Sequence, residues 1–343
     1  MLFMSADASA GSRLAYFPIN LFGAVMGYAG LTLGFFQAHE LLGIDYTAFL
    51  VLTALTTLFF ILITLLYAIK LIRFPESVKE DFAHPVALHF FPTFSISLLL
   101  LSLLFEGINF QLAQTMWYLG TLLHFILVLV ILNSWIHHEK WQITHMNPAW
   151  FIPVVGNIVI PLGAVEFSSI EIGWFFFSVG LIFWLVLFSI VMYRLFFHPP
   201  LLKLLEPTLF ILIAPPAVGF LSYQELNGGV LDDFSRVLFN MALFMTILLF
   251  SQTLRFIRIP FALSWWAYSF PLAAIMLASF HFYALTDIAL YGFIAAFLLA
   301  VLSALILHLT AKTFWAAKQG TLCHPLPGTK PLGTPPPAPA SEK

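Results

Sequence analysis

The sequence predicts an all-α polytopic membrane protein. Ten transmembrane helices pair as five helical hairpins in a pseudo-five-fold arrangement about a central space. Three observations predict this: the scarcity of charge, the one-sided placement of basic residues, and the confinement of five prolines to alternate segments. Of 343 residues, 61% are hydrophobic and 9% are charged, and the mean hydropathy is +0.97. Ordinary soluble domains carry about 25% charged residues. A chain with so little charge cannot cover a water-facing surface, so lipid must solvate it.

One span takes about 20 apolar residues, and about 30 with its loop, which leaves room for about ten spans and no soluble domain. They are read at 16–38, 46–72, 86–105, 110–136, 148–167, 170–197, 205–225, 232–256, 260–284 and 287–315. Polar punctuation separates them at Gly43-Ile44-Asp45, Pro75 to Pro85, Glu106-Gly107, His137 to Pro148, Ser168-Ser169, His198-Pro199-Pro200 and Asn227-Gly228-Gly229. The chain thus divides into an N-terminal segment (1–15), a membrane region (16–315) and a Pro-rich tail (316–343). The tail composition predicts disorder or polyproline structure. The first residues lack a basic stretch followed by an apolar one, so no cleavable signal peptide is expected.

With ten spans, loops alternate sides. Arg13, Lys70, Arg73, Lys79, Lys140, Arg194, Lys203, Arg255, Arg258, Lys312, Lys318, Lys330 and Lys343 all fall on one side, and Arg236 alone falls on the other. Basic loops stay on the inner side of a membrane. This predicts a multi-pass protein of the plasma membrane (the inner membrane of a Gram-negative cell) with both termini cytoplasmic. The opposite face carries acids instead: Glu40, Asp45, Glu106, Glu166, Glu171, Glu225, Asp232, Asp233 and Asp287.

Pro18, Pro92, Pro153, Pro215 and Pro271 lie in helices 1, 3, 5, 7 and 9. Proline removes a backbone hydrogen bond and kinks a helix. In lipid the freed carbonyl needs another partner. Kinks confined to odd helices predict that these line something central while even helices face lipid. Odd helices all run the same way, so the arrangement is a rotation about the membrane normal. That differs from the inverted repeats of many transporters. Gly23, Gly27, Gly30 and Gly34 in helix 1 form two GxxxG steps, which suit close packing or a widened axial space.

Ionisable residues within spans are functional candidates. Glu206 heads helix 7, where the macrodipole favours an acid. Should the protein be a coupled carrier, Glu206 is the candidate coupling group. His89, His124, His281 and His308 lie in or near the apolar zone, without the spacing of a metal site. The net charge of −2 and the single cysteine, Cys323, argue against a nucleic-acid partner and a thiolate site. No phosphate loop, nucleophile elbow or dinucleotide fingerprint occurs. The reading is therefore not an enzyme, with no catalytic residues, metal or cofactor.

Several ordered runs carry a family resemblance. They are Phe22-Gly23-Ala24-Val25-Met26-Gly27, Tyr67-Ala68-Ile69-Lys70 with Val78 to Val86, Asn147 to Asn157, Pro207 to Pro216, and Trp265-Trp266-Ala267-Tyr268-Ser269-Phe270-Pro271. Over about residues 16–315 the chain resembles the tellurite-resistance/dicarboxylate transporter family, the TehA-like and slow-type anion channels. The resemblance implies five hairpins around a central pore, a homotrimer with one pore per protomer, and small inorganic or organic anions as the transported species. It implies that Phe270 plugs the pore; Phe17 and Phe91, which also precede prolines, are alternative constrictions. Lys70, Arg73, Lys79, Arg255 and Arg258 are expected to concentrate anions at the cytoplasmic mouth. The alternative function is a C4-dicarboxylate or sulfite carrier, proton-coupled in one form. A haem-bearing oxidoreductase using the histidines is a third class.

Overall fold

The computed structural model describes residues 13–323, so the expected disorder of the tail beyond Cys323 lies outside the described residues. Among the described residues ten helices are long and apolar enough to cross a membrane, which makes the chain a multi-pass membrane protein. They are spans 1 (Ile19–Leu42), 2 (Tyr46–Arg73), 3 (Ala87–Phe105), 4 (Phe110–His137), 5 (Pro148–Phe167), 6 (Ile170–Phe197), 7 (Lys203–Leu226), 8 (Asp233–Phe250), 9 (Leu263–Thr286) and 10 (Ala289–Lys318). Among the described residues there are no strands.

Even spans are uninterrupted α-helices, and four of them begin on side-chain caps. Asp45 accepts from the Thr47 amide (2.7 Å), Asn109 from Leu112 (3.1 Å), Ser169 from Ile172 (3.4 Å) and Asp232 from Ser235 (2.9 Å). Such caps satisfy amides that have no partner within the helix. Span 8 is shorter than its sequence suggests. It ends at Phe250, the chain turns through Ser251 and Gln252, and Thr253–Phe256 forms a separate helical turn.

Odd spans are built differently. Each starts with a 3-10 segment before becoming α-helical: Ile19–Leu21, Ala87–Phe90, Pro148–Trp150, Lys203–Ile213 and Leu263–Tyr268. The prolines sit at these starts and transitions. Pro18 precedes the first segment, Pro92 opens the α-helix of span 3, and Pro153, Pro215 and Pro271 lie in the first turn of theirs. First-turn amides lack an intrahelical acceptor, so proline is tolerated there.

Span 5 is broken again at Gly156–Val159. Side chains take up its freed carbonyls: the Asn157 amide bonds Val154 (2.7 Å), the Ser222 hydroxyl bonds Ile158, and the Trp117 indole bonds Ile160 (3.0 Å). Irregular backbone survives at membrane depth only when protein or a cavity satisfies it.

Burial separates the two sets. In odd spans 61–83% of the apolar window is buried, against 28–39% in even spans. Odd spans therefore form the interior, and even spans present Leu, Ile and Phe side chains outward. Span 1 packs tightly on span 9 through its glycines. A Cβ at Gly27 would overlap Ser269, one at Gly30 would overlap Ala273, and one at Gly34 would overlap Met276. Gly23 meets nothing within 4 Å. The glycine stripe thus serves both close packing and open space.

The polar stretch after span 2 contains a helix, Pro75–Ala83, begun by proline and carrying a Lys79–Glu76 pair at 2.7 Å. It is held by Lys70, which is buried and donates to Asp81 Oδ2 (2.6 Å) and to the Phe17 carbonyl (2.9 Å). One ammonium thus joins the end of span 2, this helix and the entry to span 1.

Candidate functional site

A cavity of about 70 Å3 lies between the odd spans. All five contribute to its wall, for example Gly23, Ile96, Val155, Pro215 and Phe270, and among the described residues no even span does. Its lining carries no charged side chain; the polar ones are Asn20, Thr93, Ser264 and Trp266. Two of these are turned to the protein: Thr93 donates to the Phe90 carbonyl (2.5 Å) and the Trp266 indole to Thr313 Oγ1 (3.0 Å).

A larger vestibule of about 750 Å3 opens at the end where the odd spans begin. It shares Asn20, Phe90, Leu263 and Ser264 with the inner cavity, so the two adjoin at a neck. Charged groups appear only in the vestibule, as Glu80, Asp81 and Lys203. Burial pushes the Asp81 carboxyl above the usual carboxylate range, with the Lys70 ammonium pulling the other way.

The residues predicted for the site fall into two groups. Phe270 lines the cavity beside Pro271 and close to Gly30. Phe17 and Phe91 do not line it. Phe17 is buried in the core, and Phe91 packs against Phe82 with ring centres 4.9 Å apart. Phe90, one residue earlier, is the aromatic of span 3 that lines both spaces. Helical register decides which of two adjacent phenylalanines faces inward, and composition does not encode it.

None of Lys70, Arg73, Lys79, Arg255 and Arg258 lines the vestibule. Lys70 is neutralised by Asp81, Lys79 pairs with Glu76, and Arg255 grips Glu206; Arg73 and Arg258 are exposed elsewhere. The lysine that does line it is Lys203. Glu206 lines neither space: it is buried and accepts two 2.8 Å hydrogen bonds from Arg255, whose guanidinium is held firmly protonated by that carboxylate.

The histidines are dispersed. His89 stacks on Trp150 at 4.6 Å and also contacts Trp135 and Trp141, while His124 shares a 2.9 Å hydrogen bond with Ser95 and abuts Gly156. His281 meets Phe220 and His308 stacks on Trp265. Among the described residues no group of His, Cys, Asp or Glu is placed to hold a metal ion.

Ten spans around an uncharged cavity, reached from a wide vestibule, are the framework of a membrane transport protein. The chain belongs to the SLAC1 family of voltage-dependent anion channels, whose profile matches residues 16–314. It is 30% identical to the S-type anion channel SLAH2 of Arabidopsis thaliana over 78% of this chain and 52% of that protein. It is 27% identical to an uncharacterized transporter of Methanocaldococcus jannaschii over 79% of this chain and 85% of that protein. A tellurite resistance protein TehA homolog of Haemophilus influenzae is 22% identical over 81% of this chain and 85% of its own length. The chain therefore spans nearly all of the prokaryotic relatives and about half of the plant channel.

Proposed function

We propose that this protein conducts small monovalent anions passively across the plasma membrane, with Phe270 closing the axial cavity at rest. The observation that carries the reading is the cavity wall: residues from all five odd spans, no charged side chain, and Phe270 on the lining. An uncharged path returns little of an ion's hydration energy, so it suits singly charged, readily dehydrated species. The 3-10 starts of spans 1, 7 and 9 have no side-chain cap. At the start of span 3 the His84 ring instead accepts from the amides of Val86 and Ala87, so the partial positive charge that favours anion entry over cation entry comes from the first amides of spans 1, 7 and 9.

The vestibule end carries the basic loops, so in this reading it faces the cytoplasm, as do both termini. The assembly is a homotrimer of five-fold-like protomers, each with its own path and lipid-facing even spans. A proton-coupled carrier of dicarboxylates or sulfite would call for a titratable group at the inner cavity, whose lining has none among the described residues. Glu206 stands off the path and is bound to Arg255, which supports conduction.

The test is chloride efflux from liposomes containing wild-type or Phe270→Ala protein, with the reversal potential measured at two pH values. Larger flux in the variant and a reversal potential that tracks chloride alone support the reading. A reversal potential that shifts with the proton gradient would sink it.

A further inference from the structure

We propose that the inner cavity is a dry, water-excluding barrier in series with Phe270, and that its ligands are small apolar molecules, which block the path by filling it. The inference deepens the conduction reading and rests on it for the role in transport. The apolar ligand site stands on the cavity alone.

Size does not keep water out of this space. A water molecule needs roughly 10–15 Å3 and two to four polar partners, and the cavity has about 70 Å3. Partners are what it lacks. The exposed wall is almost wholly apolar, with Met26, Ile96, Val155, Ile211, Val218 and Phe270 among its side chains.

The polar groups around it are committed or covered. The Thr93 hydroxyl donates to the Phe90 carbonyl (2.5 Å), and the Trp266 indole to Thr313 Oγ1 (3.0 Å). Asn20 Oδ1 and Ser264 Oγ lie beneath the surface, out of reach of solvent. The backbone is closed off in the same way. The Ser269 hydroxyl bonds the Trp266 carbonyl (2.7 Å), the Asn157 amide bonds that of Val154 (2.7 Å), and the Ser222 hydroxyl bonds that of Ile158. Phe90 and Trp266 are on the cavity wall, and Val154 and Ile158 each precede a wall residue, Val155 and Val159. Four side chains thus occupy carbonyls that would otherwise accept from an entering water.

An apolar cavity of about 150 Å3 stays dry and binds benzene or xenon. At about half that volume, this one takes a single xenon atom or a molecule of roughly two or three heavy atoms. An ion crossing the cavity must carry water into it, which adds to the barrier set by the Phe270 ring. Hydrophobic constrictions gate channels by such dewetting. A dewetting barrier responds to the polarity of the wall, whereas a steric plug responds to its bulk.

The experiment sets these two responses against each other in chloride efflux from liposomes. Val155→Thr keeps the volume and adds a hydroxyl; Val155→Ala widens the space and stays apolar. With a hydrogen bond to an ion as the scale, Val155→Thr should raise flux about tenfold, and Val155→Ala by less. Met26→Gln against Met26→Ala repeats the comparison in span 1, should either polar variant at Val155 or Met26 fail to fold. Wild-type crystals pressurised with xenon should show an anomalous peak among Val155, Ile211 and Phe270. Xenon should also slow wild-type efflux relative to the same pressure of helium. Greater flux in the alanine variants than in the folded polar ones, or no xenon in the cavity, overturns the proposal. No anion flux from wild type and all variants, with xenon bound, overturns the conduction reading and leaves the apolar ligand site in place.

Discussion

Arg255 donates two hydrogen bonds of 2.8 Å, from Nε and from a terminal nitrogen, to the two carboxylate oxygens of Glu206. The fork ties the turn after span 8 to the 3-10 start of span 7. Glu206 is nearly buried, whereas the Arg255 side chain is 53% exposed. Water screens such a pair partly, so Arg255→Ala should cost about 1–2 kcal/mol, less than breaking a fully buried pair. Thermal unfolding in detergent checks this, and adding Glu206→Gln should recover part of the loss, because no unpaired charge then remains.

Lys70→Met should be harsher. Lys70 is 1% exposed and Asp81 14%, and the substitution strands the Asp81 carboxylate and the Phe17 carbonyl. A loss of about 3–5 kcal/mol is expected for breaking a buried pair from one side. Asp81→Asn keeps an acceptor for the ammonium and should be milder in the same unfolding assay.

The glycine stripe offers paired opposite outcomes. Gly27→Val drives a side chain into Ser269 and should cost about 1–3 kcal/mol through overpacking. Gly23→Val meets open space and lines the cavity, so it should leave stability unchanged and lower anion flux. Measuring melting temperature and liposome efflux on both variants separates packing from path.

Phe270→Ala should raise chloride flux about tenfold or more, the change expected when a barrier falls by about 1.4 kcal/mol. Phe91→Ala is the control: its ring packs on Phe82 and Tyr67 away from the cavity, so flux should stay near wild type.

Asp232 gives a pH signature. Hydrogen bonds from the Ser235 amide and the Tyr223 hydroxyl hold its carboxyl below the usual range. Its folded value is depressed, so its stabilisation is complete above the unfolded value of about 3.9 and fades as pH falls through the lower folded value. Asp232→Asn retains a cap without titrating. The gap in melting temperature between wild type and variant should therefore narrow below pH ~4.

Much of the architecture was legible in the chain. Each predicted span appears within a few residues of its place, because about 20 consecutive apolar residues have few alternatives to crossing a membrane. The alternation of proline anticipated the alternation of burial, because the prolines mark the irregular 3-10 starts of the odd spans, and irregular backbone at membrane depth has to be covered by protein rather than lipid. The motif run ending in Phe270-Pro271 likewise pointed to a residue that lines the cavity. The mouth charges were not legible. Composition counts Lys70 and Arg255 as cations, but pairing with Asp81 and Glu206 depends on helices 11 and 49 residues distant in sequence. The choice of Phe90 over Phe91 depended on a local register of 3-10 and α turns that hydropathy does not resolve.

The sequence by itself determined that the chain spans a membrane ten times, which face is basic, and which spans are interior. These follow from solvation, acting residue by residue against lipid or water. Only the tertiary structure decided which charges are spent on one another and where a cavity opens. Those outcomes are set by distances of a few ångströms between groups far apart in the chain, and such distances exist only after the spans have packed.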